Sequence, residues 1–361
     1  MASTGLSYMD QFTVSNQGIM DLKELLFLTV LQQGSINETV DFMTGVKNGS
    51  RLGGVGEMGL VGKKGNGCSP QWNTTNLDTV EKIWELIEYE VAEQLCYADF
   101  EDTIVQHSMR TGTDRADLTG TDYMDVILEP RLRLALEKMI WRLVWFGDKN
   151  AENVTDGGII TDTVNPDFFK VNDGLFKRLL AITAANPLQH VSIAANSELT
   201  YSAQIGALRM SGVATSIFDK LIYDASMKLR QKISKVIMCT QTMSDALAID
   251  IKRTTGSNLQ WESIFDGLVY ATTYNGQRIL SLPIWDEMIQ SFEDDKDSGR
   301  WNNPHRAVFA DIKDLKAGTE SSDMIATLEA WFEKKDQMNY MLCKDKIGTL
   351  TWEDDLIMFA Y

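Results

Sequence analysis

Gly54, Gly56 and Gly59 stand at the GxGxxG spacing of a dinucleotide loop, in which small residues let backbone N–H groups close on a pyrophosphate at a helix N-terminus. That chemistry needs a strand leading in and a helix leading out, and neither pattern flanks these glycines. A phosphate-binding Walker loop running through Lys63 fails as well, because Glu57 occupies a glycine position and Lys63 is followed by Lys64 rather than by Ser or Thr. Asp294, Asp295 and Asp297 precede Gly299, but the alternating carboxylates of a calcium loop are missing, so this stretch reads as a solvated acidic turn. His107, His190 and His305 lie far from one another and from Cys68, Cys96, Cys239 and Cys343, which form no CxxC pair. Zinc ligation needs closer spacing, and the cysteines read as free thiols of a reducing cytoplasm. A Ser-His-Asp relay depends on positions in space that spacing along a chain does not give, and nothing positive marks one. The sequence therefore assigns no catalytic residue, no cofactor and no metal. The nine tryptophans and seventeen methionines read as core and interface packing.

Charge narrows the function further. Thirty-four basic against fifty-one acidic side chains leave a net charge of -17, which argues against a surface built to grip phosphates. The charge is unevenly spread. Residues 45–67 carry Lys47, Arg51, Lys63 and Lys64 against Glu57 alone, and nine of these twenty-three residues are glycine. Residues 76–102 reverse the balance, with nine acids against the single base Lys82. Such blocks suit a solvated surface, or a basic segment docking on an acidic neighbour. A glycine-rich stretch of this length without helical or strand period predicts a long loop or hairpin, and long loops are commonly functional or ordered by a partner.

The elements around it follow from length and pattern. A chain of 361 residues exceeds one typical core, which predicts two packed regions. No basic n-region and no apolar run of membrane-spanning length is present, so a soluble chain without membrane association is expected. Residues 22–31, 98–109 and 121–128 suit helices, while 79–95 fit helix or strand. The clearest helix opens at Pro130, buries Leu132, Leu136, Met139, Ile140, Leu143 and Val144, and stops at Gly147. Lys138 and Arg142 sit in its later half, where the helix dipole favours cations. Beyond residue 148 helices and short apolar strands alternate, as in an α+β or α/β fold. Helices are expected over 173–182, 212–231 and 244–253, the last capped by Thr242 or Ser244. Strands are expected over 235–239, 307–312, 340–343 and 348–352. Asn275-Gly276 marks a hairpin between 267–274 and 277–282. Residues 292–303 read as a polar loop and 323–335 as helical or mixed.

The order of these parts resembles the major capsid proteins of tailed bacteriophages, whose shell fold is called the Hong Kong ninety-seven type. The resemblance is carried by the junction Trp145, Phe146, Gly147, Asp148 and by the hairpin running from Tyr274 to Pro283. It is carried also by the strand from Ala307 to Ile312 and the closing run from Lys344 to Tyr361. It implies an α+β fold with an N-terminal arm over 1–44, an E-loop with flanks over 45–91 and a P-domain with spine helix over 92–150. An A-domain over 151–312 and a return to the P-domain over 313–361 complete it. It tips 79–95 toward a returning strand. It implies a homo-oligomeric shell of hexamers and pentamers in a virion, made in the bacterial host cytoplasm, with a separate scaffold protein, a portal and packaged DNA as partners. DNA would be held without sequence-specific binding. Lys47, Arg51, Lys63, Lys64 and Trp72 become the expected inter-subunit contacts. An encapsulin-like compartment shell is the nearest alternative, and a soluble nucleotide-binding α/β enzyme a more distant one.

Overall fold

A computed structural model describes residues 35–58, 77–96, 129–151, 166–264, 268–295, 300–321, 327–333, 335 and 338–361. Along them run the strands β1 (Asp41–Met43), β2 (Arg51–Met58), β3 (Leu77–Ile83) and β4 (Ile87–Cys96), then the helix α1 (Glu129–Phe146). There follow α2 (Leu175–Ala185), β5 (His190–Val191), α3 (Tyr201–Leu208), α4 (Val213–Tyr223), α5 (Met227–Gln231), β6 (Lys235–Thr240) and α6 (Gln241–Thr255). Next come β7 (Glu262–Ile264), β8 (Val269–Tyr274), β9 (Gln277–Leu282), α7 (Pro283–Phe292), β10 (Asp294–Asp295) and β11 (Arg300–Trp301). The chain closes through β12 (Ala307–Asp311), β13 (Leu315–Thr319), β14 (Thr327–Glu333), β15 (Met338–Thr351) and β16 (Met358–Ala360). The class is α+β.

Seven strands form one mixed sheet in the order β5-β16-β12-β6-β9-β8-β7. Its central strands are unbroken apolar runs because both faces are covered, and the two-residue period of a strand sorts neighbours to opposite sides. Val236 and Met238 of β6, Leu280 and Leu282 of β9, and Val308 and Ala310 of β12 join a core with α1, α2 and α7. Ile237, Cys239, Ile279 and Phe309 join a second core with α4 and α6.

The helix α1 fills the first core. Of the face read from the sequence, Leu136, Met139, Ile140, Leu143 and Val144 are buried, with Trp141, Trp145 and Phe146 buried beside them, and the Leu132 side chain lies outside the described residues. Trp145, Phe176 and Trp285 pack with ring centroids between 4.6 and 5.2 Å apart. Each such burial stabilises by about 1.5–3 kcal/mol. The helix ends at Phe146, and the next residue is glycine because a Cβ there would stand 2.5 Å from Asn172 Oδ1.

The same core takes in Tyr89, Met341, Cys343 and Ile347 from a second sheet. There β15 is central. Ile347 pairs with Ile87 of β4 and Thr319 of β13, and Lys344 pairs with Glu90 of β4 and Thr327 of β14. β13 and β14 therefore share the edge opposite β4, and β1 joins β13 in parallel. β2 and β3 form a hairpin of their own.

The hairpin of β8 and β9 stands as expected, with φ of 47° at Asn275 and 75° at Gly276. Other elements differ for local reasons. The one helix expected over 212–231 is two, α4 and α5, because Ser226 leaves helical backbone at ψ 145° and its side chain accepts from Leu229 N. α6 begins ahead of Thr242 and Ser244, since the Asp286 carboxylate accepts from Gln241 N at 2.5 Å and satisfies the helix start from outside. The two closing strands are the single strand β15, whose charged stretch from Lys344 to Lys346 stays in the ladder with β4. Residues 323–335 carry the strand β14 rather than a helix, held by its register on β15. Residues 79–95 are strand on both sides of Trp84. The helices α3 and α7 escape the sequence reading. Those expected over 22–31, 98–109 and 121–128 lie outside the described residues. No helix among the described residues is long and apolar enough to cross a membrane.

Candidate functional site

The glycine-rich stretch supplies one strand of a hairpin, with β2 paired to β3 from Arg51 opposite Ile83 to Val55 opposite Thr79. The register then shifts, so that Gly56 and Glu57 face the single residue Asp78 before Met58 meets Leu77. This is a β-bulge, which bends a strand and increases its twist. Strand formation in so glycine-rich a segment comes from the cross-strand ladder rather than from propensity.

The root of the hairpin is tightly built. Trp84 and Leu86, between β3 and β4, are buried with Val46 and Leu350, and Met43, Leu52 and Trp352 pack against them. Gly49 N donates to Trp84 O, Trp84 N donates to Ser50 O, and Leu86 N donates to Asn48 Oδ1, all within 3.0 Å. Gly49 takes a left-handed φ of 75° that lets the chain double back there. Gly54 has a different reason to be glycine: a Cβ would stand 2.1 Å from Cζ2 of Trp352. The first glycine of the GxGxxG pattern thus lies flat on an indole in mid-strand, and β2 runs from Arg51 through Met58 where a nucleotide loop would need a turn.

Arg51–Glu81 joins the two charged blocks, and other cations and anions of the chain pair with the acidic block or its one base. Arg51 bonds Glu81 across the hairpin at 2.7 Å, with side chains 71% and 49% exposed. Lys82 bonds Asp354 at 2.6 Å, Lys149 bonds Glu85 at 2.5 Å and Lys344 bonds Glu90 at 3.2 Å. Exposed pairs of this kind contribute about 0–1 kcal/mol and exchange partners readily. Of the five residues expected at inter-subunit contacts, Lys47 is exposed beside the root and Arg51 is engaged with Glu81. Lys63, Lys64 and Trp72 lie outside the described residues. Sequence reasoning missed Trp84 and Trp352, the two indoles that seat the hairpin. Trp84 fits a helical stripe in the sequence, and only its place between two strands reveals the anchor.

No family model matches the sequence and no curated protein matches it. Solved structures do. A chain of the satellite phage P4 procapsid including size determination (Sid) protein superposes with a TM-score of 0.51 at 9% identity, covering 96% of this chain and 98% of that one. A chain of Gordonia phage Cozz superposes with a TM-score of 0.51 at 13% identity, over 90% of this chain and 85% of that one. The chain has the phage capsid fold.

Within this capsid fold the buried polar groups are built as supports. Arg306 bonds Glu293 with both terminal nitrogens, the two side chains being 4% and 0% exposed. The guanidinium also lies 4.8 Å from the Phe176 ring centroid. Burial pushes the Glu293 carboxyl up, against the opposing pull of Arg306. Lys177 bonds Asp148 at 2.7 Å and Asp173 at 2.8 Å, tying the end of α1 to α2. His305 is fully buried with Nδ1 2.9 Å from Thr242 Oγ1, and burial drives its pKa down to about 4. Besides Thr242 the ring hydrogen-bonds only backbone, that of Gln204, among the described residues, whereas a relay needs a carboxylate or similar side chain to orient the far nitrogen. Asp286 is instead at the start of α6, where burial raises it to about 6. Asp294 and Asp295 lie in the short strand β10. Among the described residues no cluster of His, Cys, Asp or Glu is placed to hold a metal ion.

Proposed function

We propose that the chain is a structural subunit of an icosahedral viral capsid, self-assembling into a shell that encloses double-stranded DNA, and that its work is assembly rather than catalysis. The observation that supports this reading is the fold itself: the likeness to a procapsid chain runs along 96% of this chain. The hairpin of β2 and β3 is the second support, a ladder outside both large sheets that is seated on two indoles.

In this reading residues 1–44 are an N-terminal arm, 45–91 the E-loop and its flanks, and 92–150 a P-domain whose spine is α1. Residues 151–312 form the A-domain and 313–361 return to the P-domain. Lys47, Arg51, Lys63, Lys64 and Trp72 contact an acidic surface of the next copy. The bulge at Gly56 and Glu57 is the bend that accommodates the different angles of hexamers and pentamers. A separate scaffold protein guides closure and a portal occupies one vertex. DNA is contained without sequence-specific contacts, in keeping with a net charge of -17. The subunit is made in the host cytoplasm and ends in the virion capsid.

The test is electron microscopy of the expressed protein, with and without a scaffold candidate. Closed shells are expected from the wild type, and folded monomers without shells from a variant carrying Lys63→Glu and Lys64→Glu. Wild-type protein that stays monomeric under every condition would overturn the shell reading, and normal shells from the double variant would overturn the role of these two lysines.

A further inference from the structure

Arg142 differs from the other cations of the body. It sits on α1 one turn beyond Lys138, which bonds Glu287 of α7 at 2.5 Å. Arg142 itself is half-buried, and no carboxylate among the described residues lies within ion-pair distance of it. Its guanidinium carbon lies 5.3 Å from the Phe168 ring centroid and 5.8 Å from that of Phe169. Its Nε is buried and has no acceptor. Burial alone acts on its pKa, downward, with no acid opposing the shift, yet arginine stays charged in any protein.

A cation taken from water without a counter-charge is destabilising, and cation–π contacts offset only about 0.5–2 kcal/mol of that cost. Phe168 meanwhile leaves 56% of its surface exposed. Among the described residues the site is therefore half of a contact, a guanidinium on an aromatic platform without a carboxylate. The other half is available on the chain's own surface. Copies with a net charge of -17 repel one another, so their association needs places where a cation of one meets an anion of the next. Exposed Glu88 and Glu90 share one face of β4 and are anions of this kind, Glu90 in an exposed pair with Lys344. A planar guanidinium can hold a carboxylate with two parallel bonds where an ammonium cannot, which accounts for arginine at this position.

We propose that Arg142 receives a carboxylate from a second copy of this chain, seated beside the exposed Phe168 ring. This inference rests on the shell reading and names one contact within it.

The test compares the wild type with Arg142→Met, which keeps the length and removes the charge, and Arg142→Lys, which keeps the charge and loses the fork. Assembly is followed by light scattering against protein concentration, and monomer stability by urea unfolding. The Arg142→Met monomer should be at least as stable as the wild type, while the concentration needed for half-assembly rises about thirtyfold or more. Arg142→Lys should fall between. Assembly of Arg142→Met at wild-type concentrations would overturn the proposal. So would a destabilised or unfolded Arg142→Met monomer, which would place the counter-charge inside the chain. If the wild type forms no particles, the shell reading fails and takes this contact with it; if the wild type and Arg142→Met assemble alike, only the Arg142 contact fails.

Discussion

The seven-stranded sheet and the sheet centred on β15 use their faces in opposite ways. In the first, alternate residues of β6, β9 and β12 go to two different cores, so the central strands have no solvent face at all. In the second, Tyr89, Met341, Cys343 and Ile347 face the core while Glu88, Glu90, Lys344 and Lys346 line the other side. The two sheets nevertheless share one core through α1. One sheet holds the body together with both faces buried; the other buries one face and leaves a charged face, and the hairpin beside it rests on a small core of its own. Stability is thus concentrated in the first region and surface available to partners in the second.

The largest expected effect breaks the first region. Phe176 touches Trp145, Phe146, Trp285 and Phe359, so Phe176→Ala should cost about 3–5 kcal/mol, read as a lower urea midpoint for the whole body. Next is the pair beneath it. Glu293→Gln alone strands the Arg306 charge and should cost about 3–5 kcal/mol, while replacing both residues by Met should cost less than the single change. A double substitution that is additive in urea unfolding would show that the pair is not coupled.

A third change separates the regions. Gly54→Val drives a Cβ into Trp352, so the hairpin root should open and become sensitive to limited proteolysis, while the body loses less than about 1 kcal/mol because the second region contributes little to it. Loss of the body's urea transition in this variant would erase the distinction drawn between the sheets.

The smallest effect is with pH, because two buried groups oppose one another. Asp286 is raised from 3.8 to about 6 by burial, so its contribution to stability is complete below pH 3.8 and lost as pH rises through 6. His305 is lowered from 6.5 to about 4 by burial, so its contribution is complete above pH 6.5 and lost as pH falls through 4. Between these values the two slopes partly cancel. Asp314, likewise raised to about 6 by burial, opposes the histidine in the same window; Asp286→Asn removes one of these two opposing slopes, so urea midpoints of this variant should fall more steeply than those of the wild type as pH is lowered from 6.5 to 4.

Much of the seven-stranded region was legible in the sequence, because its signals are local. Asn275-Gly276 marks a turn by its tolerance of positive φ, and the apolar spacing from Leu136 to Val144 marks a helix face. Gly147 marks its end. The β15 region was harder to read. Lys344, Asp345 and Lys346 look like a break in an apolar pattern, yet β4 holds them in the ladder. The start of α6 was misplaced because its first N–H is satisfied by Asp286, forty-five residues away. The candidate site was legible as a basic glycine-rich excursion, but its anchors Trp84 and Trp352 were not.

By itself the sequence determined where the chain turns, which helix face is apolar and where its charges concentrate, since each depends on residues within a few positions of one another. The tertiary structure alone decided that Gly54 lies on Trp352, that β15 is one strand and that Arg142 meets the rings of Phe168 and Phe169. These outcomes depend on segments far apart in the chain, whose meeting is selected by packing and not by any local pattern.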